Sequence, residues 1–536
     1  MKNRLGNLVL LLAFLCVAPV LAEPSSKSGT IAVGTEWETE YHVVDSGTEG
    51  PTVLILGGIH GNEPAGWRAA EQIRHWPIVA GKLVVVPRAN VQGLAANVRE
   101  VPEQPEGEKD LNRNFPRENG EIESDQRVTP RGQLAMALWK LAAKVKPNWV
   151  IDLHEGYEFN RTHIPPEGKK KSVGSSVIYR GGDKMDPLAG RIVDAANATV
   201  TDKSKRFTLL RQGPVSTGLA RACIEVMGAE GVIFETTFKD QPLSLRTRQQ
   251  RAMVNVLLNH IGLIDRDCRD VLAAPKREGH LLVAAFDGPG TGASKSKLFP
   301  IVDHAQDMTL HFLGGSEMRP EVLEQFDVVV FPGGSGSKQA AAIGENGRDA
   351  VRGFIGDGGG YVGVCAGAYL CSAHYSWSLD LIDSTVFTGS REIPGKGKKQ
   401  MWYRGGSSDI DIELTDQGKE LFVGVDSEFV VRYANGPIIS PKGLELLDDY
   451  RVLAWYRSEN GLWKPQKGTM VNTPAIVSGA YGKGRVMSVS PHPESTPSLH
   501  SIIENSLRWV AGLKQGRSAA KEPSKAKSEK PAKAGV

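Results

Sequence analysis

Residues 52–63 read TVLILGGIHGNE: an apolar run, two glycines, then His60 and Glu63 three positions apart. Five consecutive apolar or β-branched residues ending in Gly57-Gly58 predict a buried strand that stops at a sharp turn. Three further runs of the same kind follow: 82–90 (KLVVVPRAN), 149–154 (WVIDLH) and 231–236 (GVIFET). Between and after them, 64–76, 130–146 and 244–263 carry helical spacing of apolar residues. Strands alternating with helices imply a largely parallel sheet covered on both faces.

A second series starts at 280–287 (HLLVAAFD) and continues with 327–334 (DVVVFPGG), a helix near 346–356 and the strand 360–365 (GYVGVC). The intervening stretch 265–279 is charged and contains a proline. It reads as a linker between an α/β domain at 30–264 and a second doubly wound α/β domain at 280–513. No internal repeat relates the two.

Length and composition agree with this division. The chain has 536 residues, 40% hydrophobic and 23% charged, too long for one modest core and too ordinary for a fibrous or wholly disordered protein. Five cysteines are too few for a disulfide scaffold. The net charge of +3 is concentrated at the ends. Residues 516–536 hold six basic and two acidic residues, giving +4, and Lys2 with Arg4 adds +2, which leaves about −3 for the rest. The body therefore has no basic excess of the kind that marks nucleic-acid binding.

Residues 1–22 combine a short basic start, the apolar run 8–17 and Ala22 as a small residue before a cleavage point. This is the pattern of a secretory signal, too short to span a bilayer comfortably. It predicts an exported protein, periplasmic or secreted, with no membrane span after cleavage. Residues 514–536 are rich in Lys, Ala, Ser, Pro and Glu and lack aromatics, which predicts a disordered basic tail.

Twelve histidines and 61 acidic residues would give roughly 1.4 His-x-x-acid pairs by chance, so His60/Glu63 alone decides little. Its company matters more. His154 ends a second apolar strand (DLHEG) and Glu235 a third (VIFETT). In a parallel sheet the C-terminal strand ends share one edge, so these residues can converge although far apart in sequence. Two imidazoles and a carboxylate suit a catalytic Zn2+ that keeps one position open. A further carboxylate, Glu235, suits a general base. The segment 110–116 (DLNRNFP) offers Asn112 and Arg113, a fork that fits a substrate carboxylate.

GGIHGNEPAG, DLNRNFP, DLHEG and the late strand glutamate together resemble the zinc carboxypeptidase family, most closely its succinylglutamate desuccinylase and aspartoacylase branch, over about residues 34–263. The resemblance implies a single Zn2+ on His60, Glu63 and His154, Glu235 as base, and Asn112 and Arg113 on the substrate carboxylate. Arg99 is the candidate for the polarising arginine that the family carries upstream.

In the second half, 358–368 (GGGYVGVCAGA) reads as strand, sharp turn and helix, with small residues that let Cys365 sit on an elbow. Downstream, 490–494 (SPHPE) sets His492 and Glu494 two residues apart, on one side of an extended segment, as base and orienting acid. Residues 331–334 (FPGG), the G-x-C-A-G elbow and the terminal HPE resemble the class I glutamine amidotransferase-like superfamily over about 280–513. DGPGT at 287–291 with GYVGVCAGAY narrows this to the domain found at the N-terminus of some biotin–protein ligases. The resemblance implies a flavodoxin-like fold. Cys371 reads as packing, Cys223 and Cys268 lack a motif, and Trp402-Tyr403 and Trp455-Tyr456 read as core or interface.

The sequence thus predicts an exported zinc carboxypeptidase, amidase or deacylase. Its substrate is a peptide or N-acyl amino acid with a free carboxylate, cell-wall peptides included. Two other readings stand beside it: a binding protein with degenerate sites, and a thiol hydrolase in which Cys365, His492 and Glu494 do the main work.

Overall fold

The computed structural model describes residues 24–117 and 130–513. The expected signal segment and tail lie outside the described residues. The chain forms two compact units that divide between Ala274 and Pro275.

The first unit is built on an eight-stranded sheet. Its strands are β1 (Ser25–Ile31), β2 (Thr39–Asp45), β3 (Thr52–Gly57), β4 (Lys82–Val86), β5 (Trp149–Gly156), β6 (Ser176–Tyr179), β7 (Thr208–Leu210) and β8 (Glu230–Thr237), in the order β1-β2-β4-β3-β5-β8-β6-β7. The centre β4-β3-β5-β8 is parallel, and β1, β2 and β6 pair antiparallel around it. The helices are α1 (Pro64–Ile73), α2 (Val91–Ala96), α3 (Gln133–Val145), α4 (Met185–Asn197), α5 (Leu219–Met227) and α6 (Leu243–His260).

Alternation along β3 shows how the sheet is covered. Val53 and Ile55 pack with Ala69 and Ile73 of α1, Ile192 of α4 and Met253 of α6. Leu54 and Leu56 pack on the other face with Leu138 of α3 and Leu219 of α5. Each fully buried aliphatic side chain contributes roughly 2 kcal/mol, so both faces need helices. Helix α6 departs from a simple apolar stripe. Its Gln250 amide donates to the carbonyls of His154 (2.8 Å) and Phe234 (3.2 Å), and its Arg246 pairs with Glu155. The helix therefore braces the strands that carry His154 and Glu235.

The second unit holds a nine-stranded sheet. β9 (Leu281–Phe286), β10 (Met308–Leu313), β11 (Val328–Phe331), β12 (Gly360–Val364) and the strand Gly484–Val489 are parallel, with β9 between β10 and β11. The sheet continues antiparallel through Pro474–Tyr481, Arg451–Tyr456, Ser407–Leu414 and Glu428–Ala434. Among the described residues no helix is long and apolar enough to cross a membrane.

Candidate active site

The turn after β3 carries the first two site residues. Gly61 permits that turn to lie against α2: a Cβ at this position would stand 1.9 Å from the Gly93 carbonyl carbon. Glu63 then occupies the N-cap of α1, where its backbone N–H donates to the His60 carbonyl at 3.3 Å. His154 arrives from the end of β5, and Glu235 stands opposite it on β8 in the parallel register. All four are buried.

His60, Glu63 and His154 bring one ligand atom each to within 4.8 Å of one another. His60 Nδ1 is 2.8 Å from Glu63 Oε1, His154 Nδ1 is 2.9 Å from Glu63 Oε2, and the two Nδ1 atoms are 3.1 Å apart. The outer nitrogens face aspartates: His60 Nε2 lies 3.2 Å from Asp110 Oδ1 and His154 Nε2 lies 2.9 Å from Asp152 Oδ2. A carboxylate that takes the Nε2–H fixes the tautomer and turns the Nδ1 lone pair inward. Two inward imidazole nitrogens with one carboxylate, each histidine backed by an aspartate, form a donor set that suits a divalent cation.

The charges are mutually dependent. Burial works against the Glu63 carboxylate, but the two imidazoles beside it outweigh that and hold its pKa well below the usual range. Burial likewise opposes the charge on Asp110, and the His60 ring and Arg99 hold its pKa low. Burial favours neutral His154, yet Asp152 and Glu63 raise its pKa well above 6.5. Glu235 behaves differently. Burial, the dominant effect, raises its pKa to about 8, and its Oε2 has no hydrogen-bond partner.

Arg99 reaches this cluster. Its guanidinium donates to Glu63 Oε1 (3.2 Å) and Asp110 Oδ2 (3.1 Å), and its side chain is 42% exposed. Asn112 lies behind the histidines. Its amide nitrogen is 3.1 Å from His154 Nε2 and 3.4 Å from Asp152 Oδ2, and its oxygen accepts from the Leu219 N–H. Arg113 is exposed, and its guanidinium donates to its neighbour's carbonyl, Asn112 O, at 2.9 Å. Sequence reasoning did not single out Asp110 and Asp152. Asp152 could have been found, because residues two apart on a strand share a face. Asp110 shows no such signal, since it comes from a loop.

In the second unit Cys365 follows β12 and His492 follows the adjacent strand Gly484–Val489. The pairing Val364↔Val489 and the bond from Cys365 N–H to the Val489 carbonyl (2.8 Å) bring the two strand ends together. Cys365 takes the left-handed conformation φ 51°, ψ −94°, which marks a constrained elbow. The His492 ring lies beside Cys365, whose sulfur is 3.6 Å from the Ala434 carbonyl oxygen, and its Nδ1 donates to Glu494 Oε1 at 2.6 Å. Burial alone would lower the pKa of His492; Cys365 and Glu494 raise it to about 10. All four described cysteines are free. Of the aromatic residues read as core or interface, Tyr456 is fully buried, whereas Trp402 is 44% exposed and lines the cavity in front of Cys365.

Comparison with known families matches residues 49–165 to the succinylglutamate desuccinylase/aspartoacylase catalytic domain and residues 322–521 to the biotin-protein ligase N-terminal domain. No curated protein sequence matches the chain. Similar solved structures include the mDAP-bound D,L-carboxypeptidase Csd4 of Helicobacter pylori, at 22% identity over 40% of this chain and 51% of that one, with TM-score 0.33. They also include a succinylglutamate desuccinylase/aspartoacylase from Rhodobacter sphaeroides, at 19% identity over 48% and 71% respectively, with TM-score 0.31. The chain spans about half the length of the Helicobacter protein. Residues 49–165 are similar to the succinylglutamate desuccinylase/aspartoacylase catalytic domain, and residues 322–521 to the biotin-protein ligase N-terminal domain.

Proposed function

We propose that the first unit is a zinc-dependent hydrolase that cleaves an amide bond next to a substrate carboxylate, as a carboxypeptidase or deacylase. The observation that carries this reading is the convergence of His60 Nδ1, His154 Nδ1 and the Glu63 carboxylate beside a buried, unpartnered Glu235 oxygen. Zn2+ held by His60, Glu63 and His154 would supply Lewis-acid polarisation of a carbonyl and a lowered pKa for water.

The chain's own groups perform the proton and charge work. Glu235 takes a proton from the attacking water at its free Oε2 and returns it to the leaving nitrogen. Its pKa of about 8 suits a group that must both accept and release a proton near neutrality. Arg99, at the mouth of the cluster, steadies the negative oxygen that develops on the carbonyl. Arg113, exposed and within the same motif as Asn112, receives the substrate carboxylate, while the Asn112 amide donates to Asp152, the carboxylate behind the His154 ring.

The leader-like residues 1–22 support an exported enzyme, and in that setting peptides, including cell-wall peptides, are the accessible substrates. Incubating the full chain with peptides, murein fragments and N-acyl amino acids, before and after chelation, tests the reading. Chelator-sensitive release of an amino acid or acyl group supports it; no product from any member of the panel rejects it.

A further inference from the structure

The second unit holds a site that the hydrolase reading does not use. Cys365, 6% exposed, opens into a cavity of about 520 Å³. The other described cysteines are sealed: Cys223 and Cys268 at 0% and Cys371 at 1%. Beside Cys365 stand His492 and Glu494, joined to each other at 2.6 Å. Gly333 makes room for them, since a Cβ there would lie 2.9 Å from His492 Cε1 and 3.6 Å from the Cys365 Cβ. That same Cβ would lie 2.7 Å from Ser294 Oγ, a buried hydroxyl with no partner. A nucleophile that lines the cavity is therefore backed by a histidine, an orienting acid and a spare polar atom.

The walls specify what can enter. Tyr375 and Trp377 stack with centroids 4.5 Å apart and planes 10° apart, Trp402 and Tyr369 add two more aromatic walls, and Ser335, Ser337, Thr388, Gln400 and Asn435 supply neutral polar ones. None of the described residues lining the cavity is Asp, Glu, Lys or Arg. A free amino acid brings both an ammonium and a carboxylate, and burying either without a partner is costly. A flat apolar group gains from stacking on such walls.

We propose that Cys365 is the nucleophile of an acyl-transfer site whose substrate is a neutral amide or ester carrying a flat apolar group, and that free glutamine is not its substrate. The proton shared by Cys365 and His492 rests on the imidazole, as the raised pKa of that ring requires, and the sulfur bonds to the carbonyl carbon. The bond from that carbon to the leaving oxygen or nitrogen breaks, and the leaving group receives the proton from His492. Water then cleaves the thioester, giving its hydroxyl to the acid and a proton back to the imidazole.

The test uses the full chain with chelator present, so that loss of the first unit's hydrolysis does not affect the result. p-Nitrophenyl benzoate is the neutral flat probe; the mono-p-nitrophenyl ester of succinate and free glutamine are the charged ones. The expected result is a burst of about one p-nitrophenolate per chain, with a benzoyl group located on Cys365 by peptide mass. Cys365→Ser abolishes the burst while melting as the parent does, and His492→Ala abolishes it when assayed below its own, lower melting temperature. Trp377→Ala lowers kcat/KM for the benzoate about tenfold, mainly through KM. A benzoyl group elsewhere, an undiminished burst in Cys365→Ser, or equal turnover of the succinyl ester or glutamine overturns the proposal.

Discussion

His154 and Glu235 stand directly opposite each other across the parallel strands β5 and β8, one turned to the ligand cluster and the other holding a free carboxylate oxygen. This register sets the distance between the cation ligands and the base. It predicts a separation of roles. Glu235→Gln keeps the ligand set intact and removes the proton acceptor. Metal content should stay at the parent level while kcat falls by roughly 10²–10⁴. Unchanged kcat would remove Glu235 as base.

Asp110 and Asp152 each back a histidine at its outer nitrogen. Replacing either by Asn weakens the orientation of a ligand without deleting it. Zn2+ affinity, measured by competition with a chromogenic chelator, should fall about 10–100-fold in each variant. Affinity equal to the parent would show that these aspartates only fill space.

Arg113 and Arg99 are assigned to different ends of the substrate. Arg113→Gln should raise KM for a substrate with a free carboxylate and leave its amidated analogue unaffected. Arg99→Gln should lower kcat for both. The same KM rise with the amidated analogue would dissociate Arg113 from the carboxylate.

Gly61 faces the Gly93 backbone with no room for a methyl group. Gly61→Ala must displace either the His60–Glu63 turn or α2, at about 2–4 kcal/mol. Thermal unfolding of the first unit should shift down and Zn2+ affinity should fall with it. An unchanged melt would contradict the close approach.

His492 has a folded-state pKa of about 10 against an ordinary 6.5. A raised value means that its contacts stabilise the fold fully below about pH 6.5 and lose that effect as the pH rises through 10. Glu494→Gln removes one of those contacts, for about 2 kcal/mol. The melting difference between parent and variant should be largest near pH 6 and shrink towards pH 10. A gap that widens with pH would assign the wrong sign.

The parallel centre of the first sheet was legible because strands such as 52–57 are continuous apolar runs, buried on both faces. The edge strands were not. β1 reads SSKSGTI, and its pairing with β2 comes from backbone bonds that leave little apolar signal. The antiparallel extension of the second sheet did leave a signal, since Ser407–Leu414 alternates buried and exposed positions over its second half. His60, Glu63 and His154 could be read together because strand ends of a parallel sheet share an edge. The inward turn of Asn112 could not, because it depends on α5 offering the Leu219 N–H from 107 residues away.

The proposed hydrolysis depends on one cation held by His60, Glu63 and His154. The most direct measurement is the metal content of the purified full chain, with amide hydrolysis followed through chelation and Zn2+ return. About one Zn2+ per chain is expected, absent from His154→Ala, with activity lost on chelation and restored by Zn2+. Hydrolysis that persists in the metal-stripped protein would contradict it.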